Sequence, residues 1–300
     1  MTMQSKVRNT GTPEAKKSRA SSRKSIGRHL PVHVTWLVDT KKKLHTADKK
    51  TIELWRFNHM LDASALSTWA KHFRNQYCSD SDIDSLISGT GLSRSDYLTN
   101  IVFPDQSTPP GPSVRAGDFA EVLVADYLEY LLNFWMPRTR YDTKAMRNVS
   151  TQGVDVMGFL LTDDSIRRPS PNDIMVVYEV KAQFSGSKPS PRLQDAVDGS
   201  AKDVLRKPES LNAIKRRFIE RKMFVEAKRV ERFQNPADNP YREQYGALAF
   251  FSTDLVDDTE LCQTTCAAHP YKNRLKAVVM SGDSIMELVH KLYAAAANEA

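Results

Sequence analysis

The residues with the most chemical content lie in one short run, Tyr178-Glu179-Val180-Lys181-Ala182-Gln183. Side chains alternate across a strand, so Glu179, Lys181 and Gln183 project to one face and Tyr178, Val180 and Ala182 to the other. Met175, Val176 and Val177 just upstream mark this strand as buried. A charged pair on a buried strand is either a structural ion pair or a site. An earlier strand carries Gly153-Val154-Asp155-Val156-Met157-Gly158, with Asp155 as its lone acid. If the two strands pair as an antiparallel hairpin, Asp155 and Glu179 meet on one face beside Lys181. Two carboxylates suit Mg2+ (or Mn2+), a hard cation that completes its shell with water and substrate phosphate oxygens. Such a metal acidifies a water and polarises a phosphodiester, while Lys181 orients the nucleophile or stabilises developing negative charge. The reaction class is phosphodiester hydrolysis.

The elements that must position these residues follow from the apolar pattern. His33 to Val38 reads as a strand and Lys41 to Lys50 as a turn or loop. Ile52, Leu54, Trp55, Phe57, Leu61, Leu66, Trp69 and Phe73 approximate a helical stripe, with a break near Asp62 to Ser64 where a second N-cap starts. Asp80 to Leu92 reads as a short helix. Four prolines and a glycine between residues 104 and 113 exclude helix and central strand alike, which marks a linker or long loop. Beyond it come a helix from Arg115 to Met136 and strands at 154–162 and 174–183. A helical region with a loop at 190–234, strands at 245–252 and 275–281, and a helix from Ser284 complete the order. It describes an α/β sandwich with a mixed central sheet, preceded by a small α+β N-terminal region. On a regular helix Glu121 shares a face with Gly117, Ala125 and Leu128, so this acid points inward beside small side chains. Asp118 and Asp126 are alternatives on the same helix.

An acid on the first helix (Gly117-Asp118-Phe119-Ala120-Glu121), Gly153-Val154-Asp155 on a strand and Glu179-Val180-Lys181 on the next resemble the PD-(D/E)xK nuclease superfamily, from about Arg115 to Ser281. The resemblance implies a restriction-endonuclease-like fold with Asp155 and Glu179 as metal ligands, Lys181 as the catalytic lysine and Glu121 reaching the site from the helix. Gln183 then contacts metal-bound water or phosphate, or makes an ordinary strand-end hydrogen bond. The run Arg-Ala-Gly-Asp-Phe-Ala-Glu at 115–121, taken with both strand motifs, is also similar to the HamA family, the nuclease subunits of Hachiman anti-phage defence. That similarity implies a bacterial DNase acting with, and restrained by, a superfamily 2 helicase partner (HamB-like). It covers the C-terminal two-thirds and leaves residues 29–103 as a candidate partner-binding region.

Composition bounds the remaining choices. Of 300 residues, 40% are hydrophobic and 26% charged, near globular averages. No run approaches the roughly 18 apolar residues of a membrane span, and no apolar segment follows the basic N-terminus, so a cytoplasmic protein is expected. The net charge of +7 belongs to the tail: residues 1–28 hold eight bases and one acid, and the rest of the chain has 35 of each. Such a tail is expected to be disordered, and is either an arm for a phosphate backbone or a solvated extension. Lys215, Arg216, Arg217, Arg221 and Lys222 lie in a helical segment whose basic outer face is a candidate DNA-backbone contact. Cys262, Cys266 and His269 are spaced like zinc ligands but are one short of a structural site, so a loop with two thiols is the better reading. No phosphate-binding Gly-x-x-x-x-Gly-Lys-Ser/Thr loop occurs, which leaves ATP-driven motion to another polypeptide. Two function classes survive: a metal-dependent nuclease, and a non-catalytic DNA- or helicase-binding subunit retaining a nuclease fold.

Overall fold

The computed structural model describes residues 30–162 and 168–300. The basic tail and part of the loop between the two motif strands lie outside the described residues. In chain order the strands are β1 (Leu37–His45), β2 (Thr51–Phe57), β3 (Val156–Leu160), β4 (Ile174–Gln183), β5 (Arg242–Ser252) and β6 (Leu275–Gly282). The helices are α1 (Val32–Thr35), α2 (Ala63–Tyr77), α3 (Ile83–Ile87), α4 (Arg94–Tyr97), α5 (Gly111–Asp126), α6 (Arg192–Glu220), α7 (Phe224–Glu231), α8 (Asp258–Gln263) and α9 (Ile285–Asn298).

The strands form one mixed sheet in the order β1-β2-β6-β5-β4-β3. Its centre, β2-β6-β5-β4, is parallel, and the antiparallel partners β1 and β3 close the two edges. Parallel strands are covered on both faces and therefore read as nearly continuous apolar runs, as in β5, where Tyr245 to Ser252 are all buried. Alternation divides β4 between two cores. Val176, Tyr178 and Val180 pack with Phe119 and Leu123 of α5, Trp69 of α2 and Leu292 of α9. Met175 and Val177 pack with Ala196, Val197 and Phe218 of α6 and Val230 of α7. The α/β sandwich expected from the order of elements is the observed architecture.

The N-terminal third differs from expectation. The strand expected at 33–38 is the short helix α1 followed by β1, and β1 runs through Lys41–Lys43 where a loop was expected. Lysines suit this position because β1 is an edge strand, where charge discourages pairing with other chains. The helical stripe expected from Ile52 to Phe73 is two elements. Residues 51–57 form β2, parallel to β6, and the helix begins after Asp62, whose side chain accepts from Ala65 N at 2.8 Å. The expected helix from Arg115 to Met136 starts at Gly111 and ends in a wide turn at Tyr127–Leu131. Within residues 30–103, β1 and β2 extend the same sheet, and Trp69, Phe73 and Tyr77 of α2 enter the core under α5 and α9. The segment from Pro104 leads as a loop into α5, which starts at Gly111. Arg115 Nε, on a buried side chain, donates to Pro104 O at 2.6 Å, and Asp105 is held by Arg147 and by the Ser107 and Thr108 amides.

Candidate active site

The β3–β4 register sets Val156 opposite Tyr178, which places Asp155 and Glu179 opposite each other at the adjoining position. The hairpin inferred from the sequence is therefore the observed one. Asp155 accepts from the Val180 amide at 3.0 Å through Oδ2, an anchor that fixes the carboxylate against β4. Its other oxygen lies 2.8 Å from Arg140 Nη2, and Arg140 Nε lies 2.7 Å from Glu121 Oε2. One guanidinium thus bridges the helix acid and the strand acid, and Nη1 also donates to Val154 O. Tyr141 OH donates to Glu121 at 2.6 Å. Burial, reinforced by the nearby Glu121 and Glu179 charges, pushes the Asp155 carboxyl well above its ordinary range despite Arg140.

Glu179 is buried on the α6 side of β4, and its Oε1 takes Lys181 Nζ at 2.5 Å. Burial opposes the lysine charge, but the Glu179 contact outweighs it and holds the Lys181 pKa above its ordinary value. Lys181 is therefore an ammonium at neutral pH, suited to stabilise negative charge rather than to accept a proton. Helix α6 passes over Glu179 at Gly199, where an added Cβ would overlap the carboxylate. Gly199→Ala is expected to displace Glu179 and to destabilise the chain by about 1–3 kcal/mol, read as a lower melting temperature. An unchanged melt would show that α6 does not press on Glu179.

One turn further along α6, Asp203 is fully buried beside Glu179, and burial together with the Glu179 charge pushes its carboxyl up to about 8. Asp203 was missed in the sequence, although it is an acid on the same stripe as Ala196, Gly199 and Ser200, all buried. Arg140 was missed too. It lies in the irregular segment between α5 and β3, where no periodicity reveals which way a side chain faces.

The remaining candidates have other partners. Gln183 donates to Lys188 O at 2.9 Å and accepts from Ser190 N at 3.0 Å, so it ties down the loop after β4. Asp118 turns toward Lys144 Nζ at 2.5 Å and Tyr77 OH at 2.8 Å. Burial pushes its carboxyl up to about 6 despite Lys144. A raised folded-state pKa stabilises the fold at acidic pH, and that contribution is lost as pH rises from about 4 through about 6. Asp118→Asn is expected to remove this slope, about 1.4 kcal/mol per pH unit within the window. Melting curves of both proteins across pH 4 to 7 check it, and parallel curves would contradict it.

Among the five basic candidates, Lys215 pairs with Glu231 at 2.9 Å, Arg216 with Glu220 at 2.8 Å, and Arg217 and Arg221 share Asp142. Lys222 lies exposed in the turn between α6 and α7. The helix breaks after Glu220, and Val225 of α7 is exposed. Cys262, Cys266 and His269 do not gather as a metal group. Among the described residues the one set of three metal-ligating side chains with donor atoms within 4.8 Å of one another is His33, His72 and Asp126. There both histidines and Arg138 already contact the Asp126 carboxylate, at 2.6–3.0 Å.

A cleft of about 670 Å3 opens between α5, the segment before β3 and the C-terminal half of α6. Glu121, Arg140 and Asp155 line it together with Met136, Ile214 and Arg217. A family model described as HamA matches residues 32–296, from the start of α1 almost to the end of α9. The chain belongs to the HamA family. The HamA match includes β1, β2 and α2, which the motif resemblance had left out, and this agrees with their place in the common sheet. The HamA assignment fits Hachiman antiviral defence. No curated protein shows significant similarity to the chain. No helix among the described residues is long and apolar enough to cross a membrane.

Proposed function

We propose that this HamA-family chain is a Mg2+- or Mn2+-dependent DNA endonuclease of Hachiman defence, acting with a superfamily 2 helicase that restrains it. The observation that carries the reading is the convergence of Glu121 from α5, Asp155 from the residue before β3 and Glu179 with Lys181 from β4 at one end of the hairpin.

The residues fit a divalent cation in two respects. Glu179 Oε2 is buried with no hydrogen-bond donor among the described residues, and Glu121 and Asp155 are already spanned by a positive charge, that of Arg140. Asp155 and Glu179, with Glu121 as accessory, would hold the metal. When bound, it supplies Lewis-acid polarisation of the phosphodiester and lowers the pKa of a water. The chain's own groups do the rest. The Val180 amide fixes Asp155, and Glu179 fixes the Lys181 ammonium. Lys181 and Arg140 stand ready to stabilise charge that develops on phosphate oxygens. The cleft is lined by Glu121, Arg140 and Asp155, while Glu179 and Lys181 lie outside its lining.

A second reading, a non-catalytic clamp for DNA or helicase, is favoured by the same Arg140 bridge, which neutralises two of the acids without a metal. EDTA separates the two. The nuclease reading requires cleavage that stops in EDTA; DNA binding unaffected by EDTA, with no cleavage in Mg2+ or Mn2+, would establish the clamp.

A further inference from the structure

We propose that Asp203 of α6 is a further metal-ligating carboxylate and that it holds a divalent cation jointly with Glu179. The inference rests on the nuclease reading and adds to it a residue outside the sequence motifs.

Three carboxylate oxygens carry the argument. Glu179 Oε2 and both oxygens of Asp203 are buried, and no N–H or O–H among the described residues donates to any of them. The cation paired with Asp203 among the described residues is Arg206, whose Nη1 lies 3.6 Å from Oδ1, beyond hydrogen-bond reach. Lys181 reaches only the other oxygen of Glu179, and Arg140 is engaged by Glu121 and Asp155. At this site, then, the oxygens left without a donor are those that meet across the contact between Glu179 and Asp203. Buried carboxylate oxygens without donors are costly. A hard divalent cation takes oxygen ligands of this kind.

The fold builds the juxtaposition deliberately. Gly199 and Asp203 are one helical turn apart on the face of α6 that meets β4. The missing side chain at 199 admits the Glu179 carboxylate, and the next turn presents Asp203 to it. An acid here has no packing advantage over the alanines and valines that occupy the same stripe.

The alternative occupant of the contact is a proton shared between the two acids. Asp203→Asn separates the possibilities, because an amide has nearly the same shape and donates to Glu179 as a protonated acid would, but being uncharged binds Mg2+ or Mn2+ more weakly than a carboxylate. The experiment is titration of the full chain with Mn2+ by calorimetry, with melting temperatures in EDTA alongside. The expected result is that the wild type binds Mn2+, that Asp203→Asn binds at least tenfold more weakly, and that the variant melts in EDTA no lower than the wild type. Asp203→Ser, which keeps a donor but no carboxylate, serves if the amide does not fold, with the same loss expected. Wild-type Mn2+ affinity in either folded variant would overturn the proposal while leaving the nuclease reading in place. No Mn2+ binding by the wild type would overturn both.

Discussion

Arg140→Ala is expected to lower the melting temperature of the chain in EDTA, and Mg2+ or Mn2+ to recover much of the loss. The guanidinium is the shared counter-charge of Glu121 and Asp155, and all three side chains are largely buried. Removing one partner from a buried ion pair leaves uncompensated charge and costs about 3–5 kcal/mol. Taking the lower figure, because these groups retain some solvent contact, a chain of this size should melt about 5 °C lower. The two carboxylates then face each other without a cation, which is the situation a divalent metal relieves. Thermal melts of wild type and variant, each with and without metal, check both halves. A variant as stable as the wild type in EDTA would deny that Arg140 neutralises the acids. A destabilised variant that metal does not rescue would deny that these acids are a metal seat.

Glu179→Ala and Lys181→Ala are each expected to reduce plasmid cleavage by about 100-fold or more, the usual consequence of removing a group that stabilises transition-state charge or its support. The two should differ in stability. Lys181 is about one-third exposed at its side chain, so its loss costs little, whereas Glu179 is buried beneath α6 and its loss opens a gap at Gly199. Circular dichroism and melting curves accompany the cleavage assay to separate unfolding from lost chemistry. A folded Lys181→Ala protein that cuts at the wild-type rate would remove the assigned site.

How much of this was legible in the sequence depended on whether local pattern and tertiary environment agreed. Strands β4, β5 and β6 are buried apolar runs bounded by polar residues, and their positions were readable to within a few residues. The pairing of Asp155 with Glu179 followed from alternation plus the assumption of a hairpin, and the register bears it out. Strand β2 was not readable. The adjacent Leu54 and Trp55, followed by Phe57, imitate a helical stripe, and only the docking of β2 against β6 selects the extended form. The lysines of β1 concealed a strand because charge at a sheet edge serves against aggregation and looks like a loop.

Within the site, the strand residues were legible and their supports were not. Glu121 was singled out over Asp118 and Asp126 by the small residues on its face, and the structure engages it with Arg140 while sending Asp118 to Lys144 and Asp126 to the two histidines and Arg138. Arg140 had no signal, since its segment has no periodicity. Asp203 had one, an acid in the buried stripe of a long amphipathic helix. The basic residues of α6 show the opposite case: composition announced a charged face, but most of its cations already lie against acids, some of them far away in sequence.

The most direct test is a time course of supercoiled plasmid with the purified chain, alone and with the proposed helicase partner, in Mg2+, in Mn2+ and in EDTA, with Lys181→Ala alongside. Nicking by the wild type is expected to require metal, to disappear with Lys181→Ala and to be slower in the complex. Plasmid left intact in both metals by the chain alone and in the complex, while still bound in EDTA, would contradict it.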